Sequence, residues 1–192
     1  MEKLIRTHII QHMKVNDLFS NKQYGFIAGR STALQLLEVI DKWSEPLDEG
    51  LDIDCIYTDF QKAFDKVPHK RLIKKIENYG ITNPILSWIQ DFLTRRYQQV
   101  SINGETSNQK EVTSGLPQGS VLGPILFVIY INDLPEAVES AAYLFADDTK
   151  IFRVINSLDD QHILQNDLVK LENWSDKWLL KFHPEKCKLF TI

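Results

Sequence analysis

Sulfur is scarce in this sequence, with two cysteines and two methionines among 192 residues. Two thiols cannot build a disulfide framework. Cys55 and Cys187 sit in apolar or basic runs with no second sulfur at metal-ligand spacing, which removes a stapled scaffold and a cysteine zinc site. The five histidines are scattered and none pairs with a second ligand at the required spacing, so zinc chemistry has no footing. An excess of either charge is also absent: 22 basic residues against 26 acidic ones leave −4. Bulk electrostatics therefore do not mark a nucleic-acid binder, and any such role rests on local patches. No apolar run approaches the ~18 residues that suggest a membrane span. Residues 1–6 do not form the unbroken apolar stretch of a signal peptide. An intracellular protein, in cytoplasm or nucleus, neither secreted nor membrane-bound, is the expectation.

Apolar residues make up 43% of the chain, enough for one domain with a substantial core. Leu4, Ile5, Ile9, Ile10 and Met13 form the stripe of an amphipathic helix over residues 3–15. Ser31 reads as the N-cap of a helix running through Leu34, Leu37, Val39 and Ile40 towards Trp43. Residues 53–60 are β-rich. Pro68 opens a basic helix closed by Gly80, and Pro84 opens another that reaches Arg95 and Arg96. Alternation on either side of Asn103-Gly104 predicts a hairpin. A strongly apolar helix begins near Pro124 and ends over residues 132–135. Residues 141–154 read as strand, tight Asp147-Asp148 turn, strand. A helix over 158–180 and a strand over 188–192 follow. The fold class is α+β, with helices backing an antiparallel sheet.

Chemistry concentrates in acids. Residues 143–146 lead straight into Asp147-Asp148, where a hairpin that only needed a turn would use Asn-Gly or Asp-Gly. Two adjacent anions repel, and a hard divalent cation with its preference for carboxylate oxygen would offset that repulsion. On extended backbone the two side chains point to opposite faces, so they are expected to be unequal ligands. Asp59 ends an apolar strand whose Ile53, Cys55 and Tyr57 share its face, with Phe60 on the other. An acid there is expensive unless paired or metal-bound. Beside the Asp147-Asp148 hairpin, Asp59 would complete a three-carboxylate site for in-line phosphoryl transfer with two metals ~3.5–4 Å apart.

Three segments carry a family resemblance. Tyr57-Thr58-Asp59-Phe60-Gln61-Lys62-Ala63-Phe64-Asp65, Gly115-Leu116-Pro117-Gln118-Gly119-Ser120-Val121-Leu122-Gly123-Pro124 and Phe145-Ala146-Asp147-Asp148 closely resemble motifs A, B and C of reverse transcriptases, in the order and spacing of the LINE-type, non-LTR, jockey-like branch. The segments 24–32 and 178–188 resemble its fingers motif and motif D, and the likeness covers nearly the whole chain. It implies a right-hand polymerase palm over 51–192, with partial fingers over 1–50. It also implies Asp59 and Asp147 as principal metal ligands, Asp148 as a less direct one, and two Mg²⁺ ions replaceable by Mn²⁺. Phe64 falls at the family's steric gate against ribose. Arg30, Phe60, Lys62, Ala63, Gln118 and Gly119 fall at nucleotide-binding positions, Ala146 where the primer end rests, and Lys186 at the motif D lysine that protonates pyrophosphate.

The implied partners are an RNA template, a DNA primer and deoxynucleoside triphosphates, in retrotransposition. The family's preceding fingers segment and its following primer grip and thumb are expected in a longer parent protein, so the chain reads as truncated at both ends. His183 departs from the family, which commonly has Asn there. Asp65 reads as a turn or cap residue, and the basic run Lys66, Lys70, Arg71, Lys74, Lys75 as a solvated helix face. Two other readings stand beside the polymerase: a catalytically silent remnant or nucleic-acid-binding module, and an RNA-dependent RNA polymerase palm, which Phe64 and the Phe145–Asp148 sequence disfavour.

Overall fold

Local signals set the ends of most elements. The chain runs α1 (Glu2–Val15), α2 (Thr32–Asp48), β1 (Asp52–Thr58), α3 (Ala63–Lys66), α4 (His69–Asn78), α5 (Ile85–Leu93), β2 (Tyr97–Gln98), β3 (Ser101–Ile102), β4 (Glu105–Thr106), β5 (Lys110–Glu111), α6 (Gly123–Ile131), β6 (Ala141–Phe145), β7 (Asp148–Ile155), α7 (Leu158–Trp178) and β8 (Lys188–Thr191) in a computed structural model covering residues 1–192. Ser31 caps α2 by accepting the Leu34 N–H at 3.2 Å. Ser157 and Asp160 form a capping box at the start of α7. Helix α5 stops at Leu93, short of Arg96, because Thr94 turns extended and Arg95 takes a positive φ of 55°. The anticipated hairpin divides into two short antiparallel ribbons, β2 with β5 and β3 with β4. Asn103 and Gly104 both adopt positive φ at the tip, as a type I′ turn requires.

Two compact units account for the chain: residues 1–18 with 64–130, and 19–63 with 131–192. In the first, the α6 residues Ile125 to Tyr130 are all at most 1% exposed. A helix apolar on every side can only be enclosed. The buried Lys75 donates to the Tyr130 carbonyl and lies 5.2 Å from that ring, so its charge is not left bare.

The second unit is an antiparallel sheet in the order β6-β7-β1-β8. One face carries Ile53, Cys55, Tyr143 and Phe152, which pack with Tyr24 and Val39. Burial of a side chain such as Val39 contributes ~1.5–3 kcal/mol. Ile56 and Thr58 lie on the other face and line a cavity with Leu168 and Leu171 of α7. Only Gln35 and Val39 of α2 are buried, and Leu34, Leu37 and Ile40 stay on the surface. The apolar positions that make α2 recognisable as a helix are therefore mostly not its core contacts. Just before β6, Asp167 of α7 is wholly buried, accepting the N–H groups of Glu139 (2.9 Å) and Ser140 (2.8 Å) and the Lys170 ammonium (3.1 Å). Burial pushes its carboxyl up, but these donors outweigh burial and leave it below the ordinary value. No helix is long and apolar enough to cross a membrane.

Candidate active site

Strands β6 and β7 are joined through Phe145, which pairs with Asp148 and leaves Ala146-Asp147 as a two-residue loop. Ala146 has φ +55°, and Asp147 is not among the positive-φ residues; this is the sign pattern of a type II′ turn, whose first loop position ordinarily holds glycine. Asp147 therefore sits on the turn. The alternation expected of extended backbone does not govern it, and Asp148 alone begins a strand.

The register decides what faces Asp148. Strand β1 pairs with β7 as far as Thr58 and Thr149, the chain neighbours of Asp59 and Asp148. Like charges close together on neighbouring strands are destabilising. Partial burial pushes the Asp148 carboxyl above its ordinary value, and the charges of Asp147 and Asp59 push it further, against a lowering by Lys186. Two of the acids anticipated from the sequence, Asp147 and Asp59, thus act electrostatically on the third, Asp148.

Lys186 is the counter-charge. Its Nζ is 2.6 Å from Asp59 Oδ2, and that hydrogen bond is the first cause of its raised pKa. Main-chain pairing delivers it there: the His183 N–H donates to the Asp59 carbonyl at 2.7 Å, the Gln61 N–H to the Lys181 carbonyl at 2.8 Å, and Phe182 bridges to Phe60. The 3₁₀ turn Pro184–Lys186 then carries the ammonium back over the acid. An all-oxygen set of clustered anions fits a hard divalent cation in donor chemistry. The carboxylates are not, however, gathered into a ready group of three ligands, and Lys186 occupies the Asp59 oxygen that such a group would use.

Other positions singled out from the sequence take their places as follows. Phe60 requires correction as a nucleotide contact: the residue is 2% exposed and its ring stacks on Phe182 at 4.5 Å. Arg30 Nη1 bonds the carbonyls of Ser20 (2.6 Å) and Gln23 (2.5 Å), which makes it a brace for the 20–30 loop. Lys62 is exposed with φ +49°, and Ala63 is buried at the start of the short α3.

In the first unit, Phe64 stacks on Phe127 at 4.6 Å, and the exposed Gln118 donates to Asp65 Oδ1 at 3.1 Å. Asp65, read from sequence as a turn residue, also accepts the Ser114 hydroxyl at its carbonyl, and a Cβ on Gly115 would meet that carbonyl oxygen at 2.7 Å. Asp65 therefore ties the motif A segment to the motif B loop, a role the sequence reading missed. Gly119 adopts φ +76° with open space around it.

A family model described as "Reverse transcriptase (RNA-dependent DNA polymerase)" matches residues 1–191. The chain is 30% identical over 203 residues to the RNA-directed DNA polymerase from mobile element jockey of Drosophila melanogaster, covering all of this chain and 22% of that protein. It is 28% identical to the probable RNA-directed DNA polymerase from transposon BS of the same fly, over 96% of this chain and 21% of that one. It thus spans about a fifth of the length of these curated relatives. Among solved structures, telomerase from Candida tropicalis in complex with a fragment of telomeric RNA superposes with a TM-score of 0.74 at 13% identity, over 97% of this chain and 33% of that one. Apo telomerase from the same yeast gives 0.74 at 11%, over 99% and 37%. The fold is thus shared with telomerase, and the chain belongs to the reverse transcriptase (RNA-dependent DNA polymerase) family, alongside the non-LTR retrotransposon enzymes.

Proposed function

We propose that this chain is the catalytic core of an RNA-directed DNA polymerase of a non-LTR retrotransposon, adding deoxynucleotides to a DNA primer 3′-hydroxyl on an RNA or DNA template. The observation that supports the reading is that Asp148, at one end of the sheet, feels the charges of both Asp147 and Asp59. Asp59, Asp147 and Asp148 would hold divalent ions. Two such ions, Mg²⁺ or Mn²⁺, supply activation of the attacking hydroxyl and neutralisation of the leaving phosphate when bound.

The remaining roles belong to the chain. Lys186 stays protonated well above neutral pH through Asp59 and is the proton donor to departing pyrophosphate once its carboxylate partner is engaged elsewhere. Main-chain N–H groups near Lys62 and Ala63 face the triphosphate. The Phe64 ring excludes a ribose 2′-hydroxyl, Gln118 and Gly119 support the nucleotide and template base, and Ala146 underlies the primer end. Arg30 serves the nucleotide only by shaping its loop.

Primer extension on an RNA template, with Mg²⁺ or Mn²⁺ and either deoxy- or ribonucleotides, tests the reading. Metal-dependent deoxynucleotide addition that disappears in Asp147→Ala is the expected result, with a loss of about 10³-fold or more. Phe64→Val is expected to admit ribonucleotides. Extension that persists in Asp147→Ala defeats the assignment of the acids. A folded wild-type chain without extension, alone or joined to the further segments its relatives possess, favours a silent nucleic-acid-binding module.

A further inference from the structure

Gln23 is 1% exposed and was not singled out by any sequence signal, although it stands next to Tyr24-Gly25-Phe26. Its side chain meets the turn that carries the acids. Oε1 accepts the Ala146 N–H at 3.0 Å and the Gly25 N–H at 2.7 Å, while Nε2 donates to the Ala146 carbonyl at 3.2 Å. Both main-chain polar groups of the first loop residue are therefore held by one amide. Ala146 is 8% exposed, so water cannot readily substitute. Without partners these groups would be buried and unsatisfied, and Ala146 already bears a positive φ that L-residues adopt at a cost.

Only glutamine fits this task. The site asks for an acceptor serving two N–H groups and a donor for one carbonyl, which a carboxylate or thioether of similar length cannot supply together. The neighbouring backbone locks the amide in place. The Tyr24 N–H donates to the Leu144 carbonyl and the Leu144 N–H to the Lys22 carbonyl, each at 2.8 Å, so residues 22–24 lie as an extra parallel rung against β6. Arg30 holds the Gln23 carbonyl. A Cβ on Gly25 would stand 2.2 Å from the Ala146 nitrogen, so only glycine permits the approach.

We infer that Gln23 is a positioning residue that fixes the Ala146-Asp147 turn and thereby the placement of Asp147 and Asp148. The link to catalysis rests on the polymerase reading above; the clamp itself does not. The test is Gln23→Met in the full chain, read by Mn²⁺ affinity from electron paramagnetic resonance titration and by amide hydrogen exchange at Ala146. Mn²⁺ affinity is expected to fall about tenfold and Ala146 exchange to quicken about a hundredfold, with exchange at the distant Ser140 amide unchanged. Adding Ala146→Gly, which tolerates positive φ unaided, is expected to recover part of the Mn²⁺ affinity. Where Gln23→Met does not fold, Gln23→Asn, which keeps the chemistry but loses the reach, takes its place. Wild-type Ala146 exchange and wild-type Mn²⁺ affinity in either folded variant overturn the inference. A wild-type chain without Asp147-dependent Mn²⁺ binding sinks the polymerase reading instead, and Ala146 exchange then decides the clamp alone.

Discussion

Strand β6 begins beside one carboxylate and ends beside three. At its start, Asp167 is fully buried, satisfied by two backbone N–H groups and an ammonium, and held below its ordinary pKa. At its end, Asp148 feels the charges of Asp147 and Asp59 and is pushed above its ordinary value, while the exposed Lys186 pairs with Asp59 and works the other way. The first site lowers the energy of the fold. At the second, the charges of Asp147 and Asp59 work against the ionised form of Asp148.

The contrast can be broken by mutation. Asp167→Ala leaves the buried Ser140 N–H and the Glu139 N–H without their acceptor and Lys170 with Glu139 as its remaining carboxylate partner, and is expected to cost about 2 kcal/mol in urea unfolding. Because the folded pKa of Asp167 is depressed, its contribution is present above the unfolded value of about 4 and disappears as pH falls through the lower folded value. Asp167→Asn should therefore flatten the acid limb of the stability profile. Asp148→Asn is expected to act in the opposite sense, adding about 0.5 kcal/mol at neutral pH by relieving repulsion at a solvent-accessible site. A loss there comparable with that of Asp167→Ala would abolish the distinction. Smallest of all, Lys186→Met alone should leave the urea midpoint close to wild type, because Lys186 is exposed to solvent. In that background the gain from Asp148→Asn should grow, and a double-mutant cycle measures the coupling.

Features governed by neighbours in sequence were legible before any coordinates. Ser31 as a cap, Asn103-Gly104 as a turn and the start of α6 near Pro124 each depend on residues a few positions apart. The three acids stand out in the sequence as a candidate set, because anions in apolar surroundings are conspicuous. What stayed hidden depends on long-range pairing. Phe60 falls at a nucleotide-binding position by its resemblance to motif A, yet Phe182 and Trp174 claim its ring. Arg30 matched a motif but faces carbonyls of its own loop. Gln23 has an ordinary local setting, and its importance exists only once Ala146 is brought against it. The two compact units exchange the chain after Leu18, Ala63 and Tyr130, where no linker composition marks the crossing.

Helix α6 has no side that water can wet. During synthesis or refolding it cannot wait in solution as a finished rod, because every orientation presents hydrocarbon to a neighbour from another molecule. Its formation and its enclosure have to be nearly simultaneous, and a culture making this protein quickly would be expected to send much of it into inclusion bodies through this segment.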